Sequence, residues 1–149
     1  MAVGTDAWDE TFDVVVVGYG FAGGAAAISA HDAGARVLLI EKNVDPGGTS
    51  ICSAGGIRIA KDAGEALTYL EATNADTTPR ETLKALADGM ATITPWVEGL
   101  AKAAGAETIV SWMPANYPFE GYRTFGFLSI AEIPGHDILT AYPNARGLR

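Results

Sequence analysis

The sequence predicts an α/β fold organised on a parallel sheet, and three successive stretches near its start carry that prediction. Asp13-Val14-Val15-Val16-Val17 is an unbroken, mostly β-branched run, the pattern of a parallel strand buried on both faces. It runs straight into a glycine-rich turn, Gly18-Tyr19-Gly20-Phe21-Ala22-Gly23-Gly24. From Phe21 to Ala33 the residues are almost all small or apolar, which predicts a helix packed closely on the sheet and closed by Gly34 in a left-handed conformation. Arg36-Val37-Leu38-Leu39-Ile40 then predicts a second strand.

A glycine turn between a strand and a helix is the start of a Rossmann-like dinucleotide site, and each glycine has its own task. Gly18 permits the tight turn, Gly20 lets backbone approach a pyrophosphate, and Gly23 lets the helix lie close to the strand. The helix N-terminus adds unpaired N–H groups and partial positive charge for the phosphates. Glu41 ends the second strand, where its carboxylate can accept hydrogen bonds from both hydroxyls of an adenosine ribose and would repel a 2′-phosphate, against NADP. Chains built for NAD usually pass from the acidic residue into another helix, whereas Asp45-Pro46-Gly47-Gly48-Thr49-Ser50 breaks any helix, and Gly55-Gly56 follows. This predicts an extended loop, rich in N–H and hydroxyl donors, running beside a ligand as long as FAD.

At these residues the chain resembles the N-terminal part of the fumarate reductase and succinate dehydrogenase flavoprotein superfamily, with the nearest likeness to soluble 3-ketosteroid dehydrogenase-like members. The likeness rests on Val-Gly-x-Gly-x-Ala-Gly ending at Gly23, on Glu41-Lys42, on Gly47-Gly48-Thr49-Ser50 and on Ser53-Ala54-Gly55-Gly56-Ile57. It is specific over residues 13 to 57, looser to 110 and thin beyond. The resemblance implies that Gly18, Gly20, Phe21, Ala22 and Gly23 hold the pyrophosphate, that Glu41 holds the ribose, and that Lys42 lies at the adenine end. It further implies that Gly48, Thr49 and Ser50 meet phosphate and ribityl oxygens and that Ser53, Ala54, Gly55, Gly56 and Ile57 pass along the isoalloxazine ring. Membrane-bound members bond the flavin covalently through a histidine; the matching position here is Thr49, so non-covalent FAD is expected.

Downstream the chain turns helical. Ala63 to Thr73 has helical spacing, Thr78-Pro79-Arg80-Glu81 reads as a threonine cap with a capping box opening a helix to about Thr92, and Thr94-Pro95 repeats the signal after a break. Gly105 stops that last helix and Thr108 to Trp112 predicts a strand. Trp112, Tyr117, Phe119, Tyr122, Phe125 and Phe127, interrupted by Pro114 and Pro118, form either an apolar substrate pocket on irregular backbone or a local core. In the family resembled here, an active-site tyrosine is followed by proline, which makes Tyr117 the candidate catalytic residue, its phenol polarising or deprotonating substrate. His136 reads as a surface-turn residue, and His31 as structural.

Ten basic against eighteen acidic residues give a net charge of −8, which argues against nucleic-acid binding and attraction to anionic membranes. Apolar stretches are too short for a membrane span and the N-terminus lacks a basic signal region, which agrees with a cytoplasmic protein. The one cysteine, Cys52, excludes an internal disulfide and a multi-cysteine metal site, and no metal is expected; it reads as a small buried side chain. Residues 1–110 are expected to be the N-terminal part of an FAD-binding domain and 111–149 the truncated start of a substrate or cap region, because the members resembled are several times longer. Three function classes follow: part of an FAD-dependent oxidoreductase acting on CH–CH groups, favoured and expected to be weak alone; a nucleotide-binding module without chemistry; and an NAD-dependent dehydrogenase. The favoured class implies a small-molecule substrate, a steroid or a fumarate-like acid, and an unidentified electron partner.

Overall fold

In the computed structural model, which describes residues 8–53, 55–130 and 133–135, the valine run forms β1 (Val14–Val17) and the glycine turn leads into α1 (Phe21–Asp32). The chain then returns as β2 (Val37–Ile40), parallel to β1 with Val14 opposite Val37 and Val17 opposite Ile40. Gly34 closes α1 as its composition requires: it takes φ 87°, and its N–H donates to the His31 carbonyl at 2.8 Å. Arg36 locks the base of this βαβ unit, its N–H on the Asp13 carboxylate at 2.8 Å and its guanidinium on Glu10 at 2.7 Å.

β1 is not covered on both faces. Val16 faces α1, but Val15 and Val17 are 53% and 79% exposed. Strand alternation puts these two on the opposite side of the sheet, where no described element of this unit packs. Cys52 likewise is exposed rather than buried, because its segment coils over Gly48–Ser53 as a 3-10 helix on the surface. That coil replaces the expected extended loop: Gly47 and Gly48 turn the chain at φ 116° and 49°, and Ser50 N–H then donates to the Gly47 carbonyl at 2.9 Å.

The two compact units part between Ala54 and Gly55. The second begins with β3 (Ile57–Ala60), followed by α2 (Ala63–Thr73), α3 (Arg80–Thr92), α4 (Thr94–Ala103), β4 (Thr108–Ser111) and β5 (Phe125–Ile130). Its sheet is antiparallel in the order β3-β5-β4, so strands on both sides of residue 110 share one sheet and the expected change of role there falls inside this unit. The segment expected to pass along the flavin ends at Ile57, which opens β3, and the aromatic segment expected on irregular backbone ends inside β5 at Phe127. β3 has only four residues and β5 carries Gly126 between two phenylalanines, so the pairing of the two supplies the signal that neither gives alone.

The helices start differently from their sequence signals. α2 is capped by Asp62, whose carboxylate accepts from Glu65 N–H at 2.8 Å, while Asp62 N–H and Lys61 N–H are held by buried Thr124. α3 starts at Arg80 with Pro79 as its capping residue, and the threonine capping box does not form: the Thr78 carbonyl instead accepts from the Asn74 side chain. The break before Pro95 shrinks to Ile93, which keeps helical angles and still donates to the Gly89 carbonyl at 2.9 Å.

Two cores hold the unit. Ile59, Leu128 and Val97 pack together with Ile57 and Ile93, and Ala60, Ala66, Tyr69, Ala87, Ala115 and Phe125 form the other, with Tyr69 edge-on to Phe125 at 5.0 Å. Leu128 is wholly buried at the centre of the sheet. Leu128→Ala should therefore cost about 2–5 kcal/mol, read as a lowered urea midpoint, and a loss below about 1 kcal/mol would contradict this packing.

Candidate functional site

The first unit builds a cleft from its two turns. Its volume is about 480 Å³, and it is lined by Val17, Gly18, Tyr19, Gly20, Ile40, Glu41, Lys42, Asn43 and Gly48. The size lies within the ~300–1,000 Å³ usual for small-molecule sites. Gly18 turns at φ 99°, a conformation that disfavours side chains, and its N–H extends the parallel ladder to the Ile40 carbonyl at 2.8 Å. Any Cβ on Gly23 would overlap the Gly18 carbonyl, so helix and strand can meet only at glycine.

Ser50 joins the two glycine segments. Its hydroxyl accepts the Phe21 N–H at 2.9 Å, satisfying one of the orphan donors of α1, and a Cβ on Gly20 would come within 3.2 Å of that hydroxyl. Gly47 N–H donates to the Tyr19 carbonyl at 2.8 Å, a second tie between the loops. The helix itself has no side-chain cap of its own, since Gly20 occupies the capping position. Ala22 and Gly23 follow in the first turn, whose N–H groups have no carbonyl four residues back within the helix.

Glu41 is held from both sides. One carboxylate oxygen accepts Tyr19 N–H at 2.7 Å and the other accepts Asn43 N–H at 2.9 Å. These bonds, Tyr19 first, keep the carboxyl below its ordinary value of 4.5, with burial opposing them weakly. Each oxygen retains a lone pair for a ligand donor. The contributions of Tyr19 and Asn43 were not legible as site residues, because both act through backbone N–H groups that any residue carries.

The remaining expected contacts divide by unit. Thr49 and Ser53 lie on the 3-10 helix with Ser50, and the Ser53 hydroxyl donates to the Ser50 carbonyl at 2.7 Å. Gly55, Gly56 and Ile57 belong to the second unit: Gly55 turns at φ 73°, a Cβ on Gly56 would press on Phe127 at 3.3 Å, and Ile57 opens β3. Ala54 and His136 lie outside the described residues. Tyr117 is 64% exposed, in a loop closed where Ala115 N–H donates to the Tyr122 carbonyl at 2.8 Å. The aromatic segment splits accordingly: Phe125 is core, while Trp112, Tyr117 and Phe119 are exposed. His31, exposed beside Asp32 at 3.6 Å, takes no part in the cleft.

The residues present fit FAD. Glycine backbone lines the cleft at Gly18, Gly20 and Gly48 and leaves room for the close approach that a pyrophosphate needs, the Ser50 hydroxyl ties the second loop to the first turn of α1, and a fixed carboxylate stands at the end of β2. Among the described residues no group of histidine, cysteine or carboxylate side chains is placed to hold a metal ion, and no helix is long and apolar enough to cross a membrane.

A depressed carboxyl adds stability that is complete above the ordinary value of 4.5 and is lost as the pH falls through the lower folded value. Titrating the chain by NMR should therefore move the Tyr19 and Asn43 amide protons together, with one inflection below about 4.5. That inflection should be absent in Glu41→Gln; its persistence there would contradict the clamp.

Comparison with known proteins agrees with this geometry. The family described as FAD binding domain matches residues 13–137. The chain is 33% identical to a 3-oxo-5-alpha-steroid 4-dehydrogenase of Comamonas testosteroni, over 95% of this chain and 27% of that protein. It is 57% identical to a fumarate reductase (cytochrome) of Shewanella frigidimarina, over 34% of this chain and 9% of that protein. The structure of 3-ketosteroid delta1-dehydrogenase from Sterolibacterium denitrificans superposes with a TM-score of 0.68 at 27% identity, covering 80% of this chain and 23% of that one. The chain thus spans well under a third of the length of each of these relatives. Its glycine turn, its clamped Glu41 and the match over residues 13–137 make it a member of the FAD binding domain family, with FAD as its cofactor.

Proposed function

We propose that the chain is the FAD-binding N-terminal portion of a flavin-dependent oxidoreductase acting on a carbon–carbon bond beside a carbonyl. The observation that carries this reading is the alignment along 95% of the chain to a 3-oxo-5-alpha-steroid 4-dehydrogenase, on top of a cleft whose donors suit FAD. FAD, when bound, supplies a two-electron acceptor or donor at its N5 atom. The chain's own residues do the holding. Gly18, Gly20, Phe21, Ala22 and Gly23 receive the pyrophosphate, Glu41 the ribose, Lys42 the adenine end, and Gly48, Thr49 and Ser50 the phosphate and ribityl oxygens. Ser53, Ala54, Gly55, Gly56 and Ile57 run along the ring system. Thr49 offers no nucleophile comparable to an imidazole, so the flavin is held without a covalent bond.

Residues 1–110 serve the cofactor in this reading, and 111–149 begin the substrate-facing region. A steroid is the favoured substrate class, supported by the steroid dehydrogenases among the relatives and by the apolar side chains of Trp112, Tyr117 and Phe119 standing exposed. A fumarate-like acid is the second, supported by the fumarate reductases. Tyr117 is the proposed catalytic residue: its phenol donates a hydrogen bond to the substrate carbonyl, which acidifies the adjacent carbon–hydrogen bond. We place the protein in the cytoplasm.

In the complete enzyme carrying this chain, steroid-dependent reduction of an artificial electron acceptor should fall by about 10²–10⁴-fold in Tyr117→Phe with flavin content unchanged. Full activity in that variant would remove Tyr117 from the mechanism, and absence of flavin from the purified wild type would remove the whole reading.

A further inference from the structure

Arg58 stands on β3 directly opposite Phe127 of β5, and strand alternation puts both on the sheet face that carries Phe125. Its guanidinium carbon lies 4.4 Å from the Phe127 ring centre and 5.1 Å from that of Phe125. Tyr69 of α2 approaches the same Phe125 ring at 5.0 Å and is only 8% exposed. One aromatic ring thus brings an arginine and a tyrosine together. Among the described residues neither the Arg58 guanidinium nor the Tyr69 hydroxyl has a hydrogen-bond acceptor or an ion-pair partner. Arg36 and Arg80, by contrast, each hold a carboxylate, in a chain with eighteen acidic residues to choose from.

We infer that Arg58 and Tyr69, framed by Phe125 and Phe127, form a binding site for the carboxylate of a small organic acid whose hydrocarbon part rests on Phe127. A guanidinium always carries its charge and presents a planar fork that matches a carboxylate with two parallel bonds. Stacked on two rings, the fork keeps its edge N–H donors for a ligand, and the phenol adds one more. Burial pulls the Arg58 pKa down, with the Tyr69 oxygen working the other way, so the cation is partly dehydrated and lacks a compensating anion. One positive charge suits a carboxylate better than a doubly charged phosphate, and the net charge of −8 adds to that preference. The half-exposed Phe127 leaves apolar surface beside the fork. The site lies wholly on β3, β5 and α2 and does not depend on the flavin chemistry proposed above.

Hexanoate is a suitable probe, with hexan-1-ol as its uncharged counterpart and inorganic phosphate as an anion of different geometry. On titration into the chain, hexanoate should bind saturably and shift the Arg58 Nε–H resonance, and neither control should match it. Arg58→Gln should weaken binding by at least about tenfold and Tyr69→Phe by a few-fold. Arg58→Lys keeps charge and stem but loses the fork, so it should also weaken binding, and it serves if the glutamine variant fails to fold. No shift at Arg58, equal binding of hexan-1-ol or phosphate, or undiminished affinity in Arg58→Lys would each overturn the assignment.

Discussion

The approach of Gly23 to the Gly18 carbonyl is the constraint on which the first unit depends. With no side chain between them, the first turn of α1 lies against the end of β1 instead of standing a side chain's width away. Ser50 can reach the Phe21 N–H only because that turn sits there, and the Ser50 bond in turn fixes the 3-10 coil carrying Thr49 and Ser53. Tyr19, between the glycines, is then presented to Glu41 at the end of the neighbouring strand. A single close contact thereby positions the N–H groups of the first helical turn and the Glu41 carboxylate.

The second unit rests on a different physics. Its antiparallel sheet is stabilised by side chains from one strand packing on those of the next, with Ile59 and Leu128 on one face and Ala60 and Phe125 on the other. Small residues let α2 and α3 close on the second of these faces: Ala66 and Ala87 have no exposed surface at all. Gly121, left-handed at φ 81° and pressed against the Glu65 carbonyl, lets the loop from Trp112 fold back before β5 begins. Gly126 meets the Trp112 ring, where a Cβ would come within 2.6 Å. The aromatic segment is therefore both core and surface, and its exposed members are those between Trp112 and Phe119.

In the first unit the two strands, the helix and the place of Glu41 were legible in the sequence, because residue type imposes them: four adjacent valines, a glycine at position 23 where a Cβ cannot fit, a carboxylate at a strand end. The open face of β1, the 3-10 coil and the exposure of Cys52 were not, since they depend on what packs nearby. The helices downstream were legible for the same kind of reason, though their caps were not. Pro79 and Asp62 cap where Thr78 was expected and where nothing was, since a cap depends on which backbone group the rest of the fold leaves unsatisfied. The antiparallel sheet escaped notice because β3 and β5 are defined by each other across a long stretch of chain. The clamp on Glu41 and the aromatic seat of Arg58 escaped for a related reason: one uses backbone donors, the other a partner strand.

The most direct test compares two neighbouring glycines. At Gly24 a Cβ would make only an ordinary 3.4 Å contact with the Tyr19 ring, whereas at Gly23 it would collide with backbone. Flavin retained per protein, read from its visible absorption after purification, should be near the wild-type value in Gly24→Ala and lost in Gly23→Ala. Equal retention of flavin in both variants would contradict the account, since the helix would then not need to meet the strand at Gly23 to hold the cofactor.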